Sequence, residues 1–408
     1  MKKKKWLAAC TAAACALALV AGCSNSGPML FGILEMDEPE TDEPETDEPE
    51  LPGIEYDAEK WDIEGTTVVR YTGEEADVRV PDGVTSIGDW AFSRCESLAS
   101  VEIPGSVTSI GSSAFSGCTS LASVEIPGSV TSIGDWAFSE CTSLAVTYGG
   151  TLAQWWQMDN DSSLVRNATS IKLSDGTDLK SYLKSLTTLE IPSDVTKIGN
   201  YAFYQCTNLA SVTIPGSVTS IGWNAFEGCT SLASVEIPGS VTSIGVQAFS
   251  YCNSLASVTI PDGVESIGYE MFRGCTSLES VTIPGSVESI GNEAFWGCTS
   301  LESVTIPGSV TSIGWNAFWG CTNLASVTIP DGVTSIGNEA FSYCESLESV
   351  KIPGSVTSIG FWAFSGCTSL TDVKYGGTAE QWKKIDIGSD AFPSGVKIYD
   401  KEGKEIKE

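Results

Sequence analysis

From Val80 onward the chain repeats one short pattern of apolar and polar positions. In the stretch Val281–Ser303, VTIPGSVESIGNEAFWGCTSLES, Val281 and Ile283 alternate with polar neighbours, as in a short half-buried strand. Pro284 ends that strand, because it lacks the amide an interior ladder needs. Pro284-Gly285 suits a type II turn, and the alternative spelling Pro261-Asp262-Gly263 suits a type I turn with glycine last. Val287 and Ile290 then face inward from a second extended piece. Gly291 is expected at the next corner with a positive φ. Ala294, Phe295 and Cys298 follow at near-helical spacing, which predicts one helical or 3₁₀ turn, and Leu301 closes the coil. A single coil of this kind cannot bury its own apolar residues, whereas stacked coils bury them against one another.

Cysteine marks the phase: Cys95, Cys118 and Cys141, then Cys206, Cys229, Cys252, Cys275, Cys298, Cys321, Cys344 and Cys367, 23 residues apart within each run. Three copies precede an interruption and eight follow it, eleven in all. A period of roughly 20–29 with apolar residues at fixed phases is leucine-rich-repeat spacing. The pattern L-x-S-V-x-I-P-G-S-V-T-S-I-G-x-x-A-F-x-G-C resembles the BspA-like (Treponema pallidum type) leucine-rich repeats of bacterial surface proteins, from about Val80 to Leu370 apart from the interruption. The resemblance implies an α/β leucine-rich-repeat solenoid of eleven 23-residue repeats. Its parallel β-sheet would form the concave face, with short strands and helical or 3₁₀ turns elsewhere. It also implies adhesion to host or bacterial surfaces.

The flanking segments divide the chain further. Residues 1–22 read as a signal peptide: Lys2–Lys5 form a positive n-region, and Trp6–Ala21 is apolar but short for a membrane span. Val20-Ala21-Gly22-Cys23 resembles a bacterial lipobox, which implies lipidation of Cys23; the alternatives are an ordinary signal peptide or an uncleaved anchor. Residues 23–53 read as an acidic, proline-rich tether, with DEPETDEPETDEPE from Asp37 to Glu50. Residues 54–79 read as an N-terminal β cap, with two strands (Thr67–Gly73 and Val78–Pro81) around an acidic turn. Residues 80–145 hold the first block of three repeats and 188–372 the second block of eight. Between them, 146–187 form a module that the C-terminal cap, 373–408, repeats: Tyr148-Gly149-Gly150-Thr151 with Gln154-Trp155 returns as Tyr375-Gly376-Gly377-Thr378 with Gln381-Trp382. The Trp residues are read as packing anchors. One gently interrupted solenoid is expected, rather than two lobes.

Composition narrows the function. The net charge of −30 argues against nucleic acid and against an anionic membrane surface as partners. Membrane contact is expected through lipid on Cys23 only, and the chain is expected to be a monomer. The chain has no histidine, which removes Ser/His/Asp and Cys/His catalysis. No phosphate loop is present, and no cofactor is implied. The repeat cysteines read as buried small hydrophobes, since equivalent side chains in a parallel stack point the same way and bridge poorly. Without Cys-x-x-Cys or His they do not read as a metal site. Asp159-Asn160-Asp161 mimics an EF-hand start but lacks the later Gly and Glu, so it is read as a loop. A non-enzymatic surface protein is expected.

Binding would sit where the repeat varies. The strand face is monotonous in Ser, Thr and Glu, while the positions flanking Ala-Phe carry aromatic residues, including Tyr269 and Phe361. Trp223, Trp296, Trp315, Trp319, Tyr343 and Trp362 are the candidate ligand contacts, with Trp296, Trp315 and Trp319 the expected cluster. The alternative is that these rings only cover one another between coils. The expected partners are extracellular proteins, of host matrix or of other bacterial surfaces. Glycans are the alternative.

Overall fold

The computed structural model describes residues 55–407, so the signal peptide, Cys23 and the tether lie outside the described residues. Each 23-residue coil contributes a strand of three or four residues, such as Ser303–Thr305 or Ser349–Ile352, and a two-residue strand, such as Ser312–Ile313. Both pair in parallel with their equivalents one repeat on, as Ser303, Val304 and Thr305 do with Ser326, Val327 and Thr328, and Ser289 with Ser312. Within the second block the shorter ladder breaks once, between Ser243–Ile244 and Ser266–Ile267, and the longer once, between Ser280–Thr282 and Ser303–Thr305. Pairing at a shift of one whole repeat follows from the sequence period, because it sets Val on Val and Ile on Ile, whereas a one-residue slip would turn them outward. Val287, Ile290, Ala294, Phe295, Cys298 and Leu301 are buried in the interior. From Phe203 to Phe364 the phenylalanine rings form one near-parallel stack, for example 5.2 Å and 9° between Phe295 and Phe318. The offset-stacked geometry is the one aromatic rings favour.

The corners differ from expectation in an instructive way. Val287 N–H donates to Pro284 O (3.2 Å), so proline is the first residue of its turn and Gly285 the second. Val264 N–H to Pro261 O (3.1 Å) places Gly263 third, not last. Neither Gly285 nor Gly263 has a left-handed φ, so the type II reading does not hold. Gly291 has no left-handed φ either. Its requirement is steric: a Cβ there would lie 2.8 Å from Ile267 O of the coil before, whose carbonyl accepts the Gly291 N–H at 2.8 Å. The left-handed residues are instead Glu293 (φ 57°) and Gly297 (φ 70°), and all eleven repeats have left-handed residues at these two positions. Between them Trp296 N–H donates to Glu293 O and Cys298 N–H to Phe295 O, bonds of 3₁₀ type. The left-handed residues interrupt that turn and aim alternate amides along the axis. Glu293, Phe295 and Gly297 donate to Trp315, Ala317 and Trp319 carbonyls at 2.7–2.8 Å. These bonds offset a left-handed cost of about 1–2 kcal/mol per non-glycine residue.

At the N-terminal end the two expected strands belong to different ladders. Thr67–Tyr71 pairs with Ser86 and Ile87, and Asp77–Arg79 with Ser100–Glu102. An additional strand, Trp61–Glu64, forms an antiparallel hairpin with Thr67–Tyr71. Trp61 and Tyr71 lie 5.7 and 5.2 Å from Phe92 and cover the end of its stack.

The intervening module contains α1 (Leu152–Gln157), α2 (Ser162–Asn167) and α3 (Leu179–Ser185), with the strand Ser170–Leu173 parallel to Ala145–Tyr148. One side of the solenoid runs through it. Asp159 bridges Ser132, Gly199 N–H donates to Trp156 O (2.7 Å), and Trp156 lies 5.5 Å from Phe203, in the place of a phenylalanine. The three-residue strands end at Ser170–Leu173 and restart at Thr188–Glu190.

At the C-terminus, α4 (Ala379–Trp382) opens with a capping box, Thr378 with Gln381, that copies Thr151 with Gln154 on α1. Trp155 and Trp382 are both buried, edge-on to Tyr148 and Tyr375. After α4 comes a degenerate twelfth coil. Asp386–Ile387 pairs with Ser358–Ile359, Asp390 is left-handed, and Phe392 stacks on Phe364 at 5.1 Å. Its signature, Ile387-Gly388-x-x-Ala391-Phe392, is present in the sequence but lacks the cysteine that marked the others.

Candidate functional site

The coil geometry leaves four outward positions per repeat: two after the Ile-Gly pair and two after Ala-Phe. The first of them, over the last eight repeats, reads Asn200, Trp223, Val246, Tyr269, Asn292, Trp315, Asn338, Phe361. An aromatic residue therefore stands on every second coil, with side chains 50%, 43%, 59% and 50% exposed. The asparagines between them have a defined task. Asn200 Oδ1 accepts the N–H of Trp223 (2.8 Å), Asn292 that of Trp315 (2.9 Å) and Asn338 that of Phe361 (3.0 Å). Each asparagine thus pins the backbone beneath the next aromatic. Among the described residues, the Nδ2 groups of Asn292 and Asn338 have no protein partner, although each carries two donors. Between Trp315 and Phe361 lies an open groove of about 430 Å³, lined by Ser335, Asn338 and Ser358 and by the bare backbone of Gly337.

A second run follows the positions after Ala-Phe. Trp296 and Trp319 stack at 4.9 Å and 3°, and Tyr343 packs edge-on against Trp319 at 5.3 Å. Arg273 closes the other end, 4.5 Å from the Trp296 ring and 6.0 Å from that of Tyr251. Its guanidinium is held by Glu270 (3.1 Å), which is buried, and by Glu293. The two tryptophans are half-buried because each covers the other. The structure therefore brings Trp296, Trp319 and Tyr343 together, places Trp223 and Trp315 in the other column, and sets Trp362 beside Phe361 at 6.4 Å. Tyr269 and Phe361 complete that column. The signal for them was an aromatic alternation of two repeats, which a 23-residue reading of the chain averages away.

The strand face is acidic or neutral through Glu102, Glu125 and Glu236, and turns basic at Lys351 and Lys374, beside an open cavity of about 680 Å³ that Tyr399 and Lys401 also line. All eleven repeat cysteines are free, and all but the half-buried Cys95 are buried. Nine of them are more than filler: Cys298 Sγ donates to Phe272 O of the preceding coil at 3.2 Å, and the same bond recurs at Cys118, Cys141, Cys229, Cys252, Cys275, Cys321, Cys344 and Cys367. Burial pushes the thiols of Cys118, Cys141, Cys229, Cys252, Cys275, Cys298, Cys321 and Cys344 up, that of Cys275 to about 12. Asp161 is the N-cap of α2 and accepts the N–H of Trp136 (2.8 Å), which explains its burial without a cation. Among the described residues no group of three His, Cys, Asp or Glu is arranged to hold a metal ion, and no helix is long and apolar enough to cross a membrane.

Two parallel strand ladders per coil, an inter-coil turn ladder and an interior phenylalanine stack in each block of repeats define a leucine-rich-repeat solenoid. The chain belongs to the BspA type leucine-rich-repeat family, whose model matches residues 70–148, 180–302 and 288–398. A leucine-rich cell surface protein from Faecalibacterium prausnitzii A2-165 is 33% identical, over 82% of this chain and 98% of that one, with a TM-score of 0.46. A leucine-rich repeat protein from Eubacterium ventriosum is 25% identical over 68% of this chain and 88% of that one (TM-score 0.44). The T. pallidum leucine-rich repeat protein is 30% identical over 49% and 90% (TM-score 0.32). No curated protein matches the chain.

Proposed function

We propose that this protein is a cell-surface lipoprotein, anchored through lipid on Cys23, whose solenoid is a non-catalytic scaffold for adhesion to protein ligands of host matrix or of other bacterial surfaces. The observation that carries this reading is the run Arg273, Trp296, Trp319 and Tyr343. Trp, Tyr and Arg dominate protein interface hot spots, and here they are contiguous and pre-stacked, so little side-chain freedom is lost on binding. Family membership and the likeness to a leucine-rich cell surface protein support the surface location. The acidic tether is suited to lifting the scaffold from a membrane.

The test is capture of matrix and bacterial surface proteins by the full chain and by a Trp296→Ala/Trp319→Ala variant. Capture that the variant loses supports the reading; capture unchanged in the variant removes this run from it. Metabolic labelling with a fatty acid, lost in Cys23→Ser, tests the anchor. A second reading, glycan recognition, is favoured by the exposed column from Trp223 to Phe361, whose rings are separated by polar groups and do not form a contiguous patch.

A further inference from the structure

We infer that the column Trp223, Tyr269, Trp315 and Phe361 binds a neutral, extended β-1,4-linked polysaccharide lying along the solenoid axis. The inference rests on the glycan reading and specifies its ligand class and its site. The first argument is spacing. The core rings step 5.1 and 5.2 Å per coil between Phe318 and Phe364, so Trp315 and Phe361, two coils apart, are separated by about 10 Å. That is the length of about two pyranose residues in an extended chain. In a β-1,4-linked chain successive residues turn over, so every second residue offers the same face. A column with one ring per two coils meets equivalent faces of such a chain, four times.

The second argument is the chemistry between the rings. Sugar recognition pairs flat aromatic surface with a few convergent polar groups. Here the Asn338 amide and the Ser335 and Ser358 hydroxyls lie between Trp315 and Phe361, and no hydrogen bond from the Asn338 Nδ2 or from either hydroxyl is satisfied by the protein among the described residues. Gly337 keeps the floor low, because its Cβ would strike the Gly314 carbonyl carbon at 2.6 Å and no side chain can stand there. A protein interface core would need contiguous apolar area, and isolated rings flanked by amides and hydroxyls do not supply it.

The third argument is charge. A chain of net charge −30, with Asp386 at one end of this groove, repels polyuronates and sulfated glycans and leaves neutral polymers.

Affinity electrophoresis of the full chain tests this, in gels containing hydroxyethyl cellulose, glucomannan, dextran or alginate. Retardation by the first two and not by dextran or alginate is expected. A Trp315→Ala/Phe361→Ala variant is expected to lose about tenfold or more in affinity, with an unchanged circular dichroism spectrum, since both side chains are exposed. Wild-type chain that passes every β-1,4 polymer unretarded, retardation that survives the double substitution, or stronger retardation by alginate overturns the inference. Loss of protein capture in this variant, with no polysaccharide binding by wild type, would reassign the column to a protein. Protein capture lost only in Trp296→Ala/Trp319→Ala leaves the adhesion reading standing whatever the gels show.

Discussion

Three glycines of two adjoining coils do different work, and alanine at each should separate them. Gly291→Ala places a Cβ 2.8 Å from Ile267 O and 2.9 Å from the Gly268 carbonyl carbon, both backbone atoms of the adjoining coil. The same Ile267 carbonyl accepts the Gly291 N–H, so relief of the clash lengthens an inter-coil hydrogen bond. Overpacking of this kind costs about 1–3 kcal/mol and a weakened bond about 1 more, so a loss of roughly 3 kcal/mol is expected. Gly297→Ala meets nothing nearer than 4.0 Å but sits at φ 70°. A left-handed alanine costs about 1–2 kcal/mol, partly offset by about 0.5–1 from the stiffer unfolded chain, so a net loss of about 1 kcal/mol is expected. Gly308→Ala has open space and no left-handed φ, and should be neutral or stabilise by up to about 1 kcal/mol. Urea unfolding followed by circular dichroism gives the three midpoints. Because a solenoid unfolds by nearest-neighbour steps, the rank of the midpoints is the robust readout. A Gly291→Ala protein as stable as wild type, or a Gly308→Ala protein as damaged as Gly291→Ala, would refute the close-approach account.

Other consequences are as specific. Iodoacetamide at pH 8, read residue by residue by mass spectrometry, should modify Cys95 among the repeat thiols and leave Cys118 to Cys367 untouched until urea is added, because those side chains are buried away from the reagent and burial holds thiols such as those of Cys118 and Cys298 far above that pH. Arg273→Ala should destabilise by about 2 kcal/mol in urea unfolding, because buried Glu270 loses its cation; Glu270→Gln in the same chain should recover part of that loss. Hydrogen bonds from Lys60 and Tyr71 hold the Glu75 carboxyl down at about 2. A depressed carboxyl contributes stability above the ordinary range near 4.5 that disappears as pH falls through about 2. The melting-temperature gap between wild type and Glu75→Gln should therefore close over that interval. Finally, Gly366→Ala, whose Cβ would lie 2.8 Å from the Tyr343 ring, should be damaging alone and milder in a Tyr343→Gly background, which a double-mutant cycle measures.

How much of this was legible follows from what repetition averages. Features shared by every copy stood out: the inward Val, Ile, Ala, Phe and Leu, the two strands, and the buried free cysteines. The corners were misassigned because glycine has two uses. Gly291 serves close approach and Gly297 serves φ, and single letters look alike in either role. The left-handed position held by Glu293 was invisible, since its occupants elsewhere include Trp136, Gln247 and Ser113, residues with no such preference. The S–H donation from Cys298 was hidden for a different reason: its acceptor, Phe272 O, is 26 residues away in another coil. The twelfth coil was missed because cysteine was used to set the phase and Phe392 has none after it. In the candidate site the sequence identified the aromatic positions but not their partition. Trp296 and Trp315 are near in sequence, yet they occupy different outward positions of their coils, which assigns them to different runs.

That partition bears on where specificity can arise. The outward positions are coupled from coil to coil. Tyr251 covers Gly274 and Tyr343 covers Gly366, and the Arg94 and Gln205 stems lie 3.2 Å from where a Cβ on Gly117 or Gly228 would sit. A large left-handed residue after Ala-Phe thus requires glycine in the following coil, so this position cannot carry bulk in consecutive repeats. Asparagine after Ile-Gly has a parallel effect: it fixes the amide of the next coil, and in all three cases the residue so fixed is an exposed aromatic. Both couplings span two coils, twice the period of the scaffold. A ligand that reads this surface therefore meets a repeat of about 10 Å, not 5 Å. Periodic polymers recognise such a surface by matching that longer step, and it is the step, more than any one tryptophan, that a change of specificity would have to alter.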